Sequence, residues 1–237
     1  RALMRYGDLV AQIGACCALA DLSRYLTGAT DLGPPLASEV VRLIQSSNPR
    51  QRRGVVGQAS GELLPICAVV AVASLVNMQP EKLRKPLVDA GVLEALMGAL
   101  RESYPGAQTV NGNATPTALI LPRHAMATLC SLCQDVPTRK RARKVGCLDA
   151  ATKLLTADID PRSGTCRIAY QEALRFVSLY MLLDNVSDAL NEAVVPGALR
   201  LTKAPEVAVR KAALNSLLYV VQRVEKNPTF LLKTQFL

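Results

Sequence analysis

The stretch LLPICAVVAVASLVNMQP, residues Leu63–Pro80, returns in altered form as LILPRHAMATLCSLCQDVP at residues 119–137. With Pro65 set on Pro122, six of seventeen positions are identical at an offset of 57 residues. Apolar residues recur three and four apart, as in an amphipathic helix. A long helix that returns at a set spacing is typical of repeat proteins. The identical pairs are Leu64/Leu121, Pro65/Pro122, Ala68/Ala125, Ser74/Ser131, Leu75/Leu132 and Pro80/Pro137.

Each copy of this stretch is followed by a charged segment, a glycine and an apolar segment. The two examples are KLRKPLVDAG-VLEALMGAL at 82–100 and TRKRARKVG-CLDAATKLL at 138–155. The unit is therefore predicted to be a long helix, a charged helix, a turn broken by glycine, and an apolar helix. Alternating strand patterns are absent from the sequence, so the predicted fold class is all-α.

Further copies are less regular but can be placed. A third is expected to have helices over 173–180, 184–193 and 194–203, with Pro196 near the start of the last, where its missing N–H is harmless. A fourth begins with the helix 206–224, and parts of an earlier copy lie at 15–26 and 38–49.

Several of these segments resemble armadillo repeats. VDAGVLEALMGAL at 88–100 and NEAVVPGALRL at 191–201 are similar to the join between the first and second helices of that repeat. VVRLIQSSNP at 40–49 resembles its second helix and turn, and ACCALADLS at 15–23 resembles its third helix. The resemblance covers roughly residues 8–226, and the related HEAT repeats are the neighbouring family.

The resemblance implies a single domain over residues 1–237, built as a right-handed α-solenoid of about four to five armadillo-like three-helix repeats. Such repeats contact only their neighbours, so the chain would form a quasi-one-dimensional stack. The repeats are expected at about 8–50, 51–100, 121–156, 167–203 and 204–237, with insertions at 102–122 and 157–167.

In the armadillo family the third helices line a concave groove that binds extended or helical segments of partners. Importin-type members grip a basic peptide there with Trp and Asn, but this chain has no Trp. Nuclear-import cargo binding of that kind is therefore disfavoured. Large aromatic side chains in a groove would contribute strongly to binding, and the alternative for them is packing between repeats. The predicted groove residues are Asp21, Ser74, Ser131, Phe176, Tyr180 and Tyr219.

The formal net charge of +9 makes acidic partners plausible. The positive charge is concentrated in the two charged helices, and equivalent helices of stacked repeats lie side by side. We therefore predict one basic strip across both, for an acidic protein segment, with a solvated face without a partner as the alternative. The strip residues are Lys82, Arg84, Lys85, Arg139, Lys140, Arg141, Arg143 and Lys144.

The expected partner is a protein with an acidic or extended segment. Neither basic run contains an aromatic residue for base stacking, so nucleic acid is less favoured, whereas an acidic membrane surface stays open. The most apolar stretch, 63–78, is short for a bilayer and carries Pro65, so no transmembrane segment is expected.

Seven cysteines, with the adjacent pair Cys16–Cys17 and an odd total, do not resemble a disulfide framework. We expect an intracellular, reducing compartment, with the cytoplasm favoured. The chain starts with Arg1 rather than Met, so the alternative is the mitochondrial matrix or another organelle after removal of a presequence.

Catalytic motifs are not recognisable in the sequence. Cys130 and Cys133 have the spacing of a zinc or redox pair, but they lie in a predicted long helix on its apolar side, which favours core packing. His124 is the single histidine and has no evident partner for general-base chemistry. We therefore expect neither an enzyme nor a cofactor or metal site.

The function that the sequence favours is a non-enzymatic protein-interaction scaffold or adaptor, or a structural subunit of a larger assembly. One alternative is a regulator that clamps an enzyme or chaperone client. The other is a solenoid that binds phosphate groups or RNA, whose affinity would fall steeply with salt.

Overall fold

The computed structural model describes residues 2–22, 34–45, 58–78, 80–103, 109–110, 113–114, 119–156, 164–181 and 188–226. These residues are almost entirely helical, so the all-α prediction is confirmed. The helices are α1 (Ala2–Tyr6), α2 (Leu9–Leu22), α3 (Pro34–Gln45), α4 (Gln58–Met78), α5 (Pro80–Asp89), α6 (Val92–Ser103), α7 (Ile120–Leu132), α8 (Val136–Val145), α9 (Cys147–Thr156), α10 (Gly164–Met181), α11 (Asp188–Leu201) and α12 (Val207–Lys226).

The long helices pack against one another in chain order. Helix α2 contacts α4, α4 contacts α7, α7 contacts α10, and α10 contacts α12; we call these five helices the long row. The helices α3, α6, α9 and α11 form a second row in the same way, α3 on α6, α6 on α9 and α9 on α11. Each helix of the second row also packs on the long helix that follows it in the chain. The hydrophobic core lies between the two rows.

The 57-residue repeat has a structural counterpart in α4 and α7, which pack on each other. Ala68 and Ala125, paired in the sequence comparison, are both fully buried. The paired leucines, Leu64 with Leu121 and Leu75 with Leu132, are buried as well. The residues paired in the sequence comparison therefore occupy buried positions on both helices.

Glycine ends the charged helices as predicted. Gly91 follows α5 with φ of 88°, and Gly146 follows α8 with φ of 93°. This left-handed conformation suits glycine because a Cβ would clash with the backbone, and it turns the chain from one helix into the next. The Gly-broken turn of the sequence unit is therefore confirmed at both places.

The predicted break between 193 and 194 is wrong. Helix α11 runs without interruption from Asp188 to Leu201, with Pro196 inside it rather than at the start of a separate helix. The residues around that position include no glycine at positive φ, which is what ends α5 and α8. A proline removes one backbone hydrogen bond but does not by itself turn the chain.

Helix α4 also begins earlier than the sequence pattern indicates, at Gln58, so that Pro65 lies within it. Among the described residues, the one strand pairing is antiparallel, Thr109–Val110 with Asn113–Ala114, inside the predicted insertion 102–122. Nothing in the described ranges is a helix long and apolar enough to cross a bilayer.

Candidate interaction surface

Helix α8 carries most of the predicted basic strip, and its two ends are fixed by capping. Asp135 is the N-cap: its Oδ1 accepts from the Thr138 backbone N–H at 2.8 Å and its Oδ2 from the Thr138 hydroxyl at 2.9 Å. These bonds satisfy a donor that the helix leaves unpaired at its start. Gly146 closes the other end, and its N–H donates to the carbonyls of Ala142 and Arg143. The positions at which α8 begins and ends are therefore set by short-range contacts.

The Asp135 cap also makes the stability of α8 depend on pH. Burial alone would raise the pKa of Asp135, but the two hydrogen bonds from Thr138 and the Arg84 guanidinium hold it below its ordinary value near 3.8. A carboxyl with a depressed pKa stabilises the fold above that ordinary value, and the contribution is lost as pH falls through the folded pKa.

Replacing Asp135 with alanine is expected to lower the free energy of unfolding by about 1–2 kcal/mol at neutral pH, because the cap is lost. Asp135→Asn keeps a capping oxygen and is the matched control, with a smaller loss. The difference in the free energy of unfolding between wild type and Asp135→Asn, measured by urea unfolding, should disappear as pH falls below about 4. A gap that persists or widens in acid would contradict the assignment of the charge effect to Asp135.

Three arginines of the predicted strip make contacts within the chain. Arg141 donates through Nε and Nη2 to Glu94 Oε1 on α6, at 3.1 and 3.0 Å. Arg139 donates through Nη1 to the carbonyls of Cys133 and Gln134 at the end of α7. Arg84 on α5 lies 3.9 Å from Asp135 Oδ2. These contacts use part of the donor capacity of the three side chains and connect α8 to its neighbours, and their role in a partner-binding strip stays a prediction.

The remaining basic residues divide between two helices of different character. On α5, Lys82 and Lys85 are exposed, but Glu81 and Asp89 are exposed on the same helix, so their charges cancel. On α8, the exposed residues Lys140, Arg143 and Lys144 have no acidic residue among them. The continuous basic strip stays a prediction, and the part of it that has no acidic residue among its exposed cations is on α8.

The three exposed cations of α8 share one side of the helix because they are spaced three and four residues apart. We call Lys140, Arg143 and Lys144 the α8 basic face. The exposed Val136 and Pro137 lie one helical turn earlier, so a small apolar surface lies next to the basic face. Such a face can form charge-assisted hydrogen bonds with carboxylates or phosphates.

The predicted groove residues fall into two groups. Asp21 is exposed on α2, and Ser74 and Ser131 are partly exposed on α4 and α7. The Ser131 hydroxyl donates to Asn77 Oδ1 at 2.7 Å, which joins the surfaces of α4 and α7. The sequence comparison did not identify Asn77, although it lies one helical turn after Ser74 on the same helix.

Two of the aromatic residues predicted to line the groove, Phe176 and Tyr180, are instead buried. Phe176 is 0% and Tyr180 2% exposed, and their rings meet edge to face at a centroid distance of 5.2 Å. The Tyr180 hydroxyl donates to the Arg139 carbonyl at 2.9 Å, so it ties α10 to α8. Both rings are buried because α10 has a neighbour of the long row on each side. The side chain of Tyr219 lies outside the described residues.

The groups considered for catalysis are mostly inaccessible. Cys130 and Cys133 are buried in the core, as the position on the apolar side of α7 predicts, and burial raises the pKa of Cys133 to about 12. The pKa of half-buried His124 is lowered by burial and by the neighbouring Arg123. Within the described ranges, no three His, Cys, Asp or Glu side chains are grouped to hold a metal ion.

No protein-family model and no curated protein matches the chain. The crystal structure of an engineered protein is similar to it, with 16% sequence identity and a TM-score of 0.47 over 93% of this chain and 96% of the other. A similarity at this level supports no functional inference.

Proposed function

We propose that the chain is a non-enzymatic interaction module, an armadillo-like α-solenoid of four to five repeats that binds an acidic segment of a partner protein. The observation that carries the proposal is the α8 basic face, three exposed cations on a helix with no acidic residue. The serial packing of the long row and the second row supports the solenoid part of the proposal. The cysteine content supports a place inside the cell, with the cytoplasm favoured.

The charge arrangement on α8 favours a binding role over a merely solvated face. Two arginines of α8 make contacts within the chain, Arg141 with Glu94 and Arg139 with two backbone carbonyls. Lys140, Arg143 and Lys144 add three exposed positive charges on the same helix, which attract an acidic segment at long range and raise its association rate.

A protein partner is favoured over nucleic acid because α8 has no aromatic residue on which a base could stack. Carboxylates on an extended segment need only cations spaced along one surface. An exposed Val136 and Pro137 beside the cations suit a segment in which apolar and acidic side chains alternate.

The polar surface where α4 meets α7 is the second part of the proposed contact. Asn77 is exposed, and accepting from Ser131 through Oδ1 leaves its amide hydrogens for another acceptor. A backbone carbonyl of an extended segment is such an acceptor. Ser74 and Ser131 thus remain groove candidates, whereas Phe176 and Tyr180 do not.

Binding of three defined probes tests the proposal: a glutamate-rich peptide, a single-stranded RNA and vesicles with anionic lipid, each titrated with the intact chain as salt rises. We expect the peptide to bind most tightly, with an affinity that weakens as salt screens the exposed charges. Tighter binding of RNA, with the steep salt dependence of phosphate contacts, would instead establish the nucleic-acid alternative.

A further inference from the structure

A pair of thiols joins the first two helices of the long row. Cys17 on α2 and Cys67 on α4 have their sulfurs 3.8 Å apart, with the Cys17 thiol donating to the Cys67 sulfur. Cys17 is exposed and Cys67 is partly exposed, whereas Cys16, Cys130, Cys133 and Cys147 are buried. Among the described cysteines, this is therefore the pair that a reagent in solution can reach.

We propose that Cys17 and Cys67 form a redox-modification site, at which a low-molecular-weight disulfide converts the two thiols into a reversible disulfide between α2 and α4. The sulfurs have to close from 3.8 Å to a bond length of about 2.05 Å, a movement within reach of side-chain rotation and a small helix shift.

The two cysteines take different steps in this reaction. Burial, and after it the contact with Cys17, raises the pKa of Cys67 to about 11. Cys67 is therefore mostly protonated near neutral pH. Exposed Cys17 is therefore the entry point: its thiolate attacks the small disulfide, breaks the S–S bond and releases one small thiol. Cys67 then gives up its proton to water and attacks the Cys17 sulfur, which releases the second small thiol.

The electron balance of the exchange is complete. The protein dithiol loses two electrons and two protons, and the small disulfide is reduced to two thiols. The product ties α2 to α4 across the contact that begins the long row, and it closes the loop between positions 17 and 67. A cross-link of this kind restricts the unfolded chain and stabilises the folded one.

The test is incubation of the intact native protein with glutathione and glutathione disulfide, followed by intact-mass measurement, peptide mapping and thermal unfolding. We expect a product that has lost two hydrogens, has a Cys17–Cys67 cross-link and has a Tm raised by several degrees, with reversal by dithiothreitol. Cys67→Ser should stop at a glutathione adduct on Cys17, and Cys17→Ser should give neither adduct nor cross-link.

The proposal is overturned if wild type keeps a stable glutathione adduct on Cys17 while Cys67 remains a thiol. It is equally overturned if Cys17 becomes linked to a cysteine other than Cys67. The serine variants change one exposed and one partly exposed side chain, and their unmodified Tm values show whether each still folds.

Discussion

Replacing Phe176 with alanine is expected to lower the free energy of unfolding by about 3–5 kcal/mol, the range for truncating a buried aromatic side chain. Phe176 is 0% exposed and packs edge to face on Tyr180. Its removal leaves a cavity beside α10. Because α7 and α12 pack on α10 from either side, we expect the surrounding side chains to fill that cavity only in part. Urea unfolding followed by circular dichroism measures the loss.

Two variants make the result specific. Leu214→Ala removes a similar apolar side chain that is 57% exposed on α12, and we expect a change within about 0.5 kcal/mol. Tyr180→Phe removes only the hydroxyl that bonds to the Arg139 carbonyl, at a cost of about 1 kcal/mol. If Phe176→Ala lowers the free energy of unfolding no more than Leu214→Ala does, Phe176 is not a core residue, and the sequence-based prediction that it lines a groove would stand.

Changing Lys140, Arg143 and Lys144 together to serine is expected to weaken binding of a glutamate-rich peptide about tenfold or more. Each exposed ion pair contributes about 0.2–1 kcal/mol, so three of them together contribute about 0.6–3 kcal/mol, a range that includes the roughly 1.4 kcal/mol of a tenfold change. Fluorescence anisotropy at low salt measures the change. The effect should shrink as salt rises, since the lost contacts are the screened ones.

The matched control removes the same amount of positive charge elsewhere. Lys82, Lys85 and Lys211 are exposed on α5 and α12, outside the α8 basic face. Their joint change to serine should weaken peptide binding much less than the α8 change does when both are compared at about 0.1 M salt, where exposed charges more than about 10 Å from the peptide are largely screened. Equal weakening by both triple variants would mean that the peptide responds to overall charge and not to α8.

Much of the fold could be predicted from local pattern. The Ala68 and Ala125 pair falls on the apolar side of α4 and of α7, where the spacing of apolar residues predicts burial, and both residues are fully buried. Gly91 and Gly146 mark helix ends, because a left-handed residue ends a helix whatever surrounds it. Both are properties of short segments. The helix start predicted near Pro196 was wrong. A proline has the same backbone φ at the start of a helix and inside one, so the residue type alone does not show which of the two it occupies.

The candidate surface was less predictable, because long-range contacts decide which side chains are free. Arg141 and Glu94 are 47 residues apart in sequence, and no local pattern indicates that they pair. Tyr180 and Arg139 are 41 residues apart. The Cys17–Cys67 contact could have been predicted from the repeat. If Ala15 is aligned with Ala68 as the same repeat position, Cys17 aligns with Val70, three residues or about one helical turn after Cys67.

Affinity capture from native cells tests the central claim that the α8 basic face holds a protein partner with an acidic segment. Wild type, the α8 triple serine variant and the α5/α12 control variant are used as bait in parallel, and retained proteins are identified by mass spectrometry before and after a salt wash. We expect a partner that is recovered with wild type and with the control but is lost with the α8 variant. An identical set of retained proteins from all three baits would contradict it.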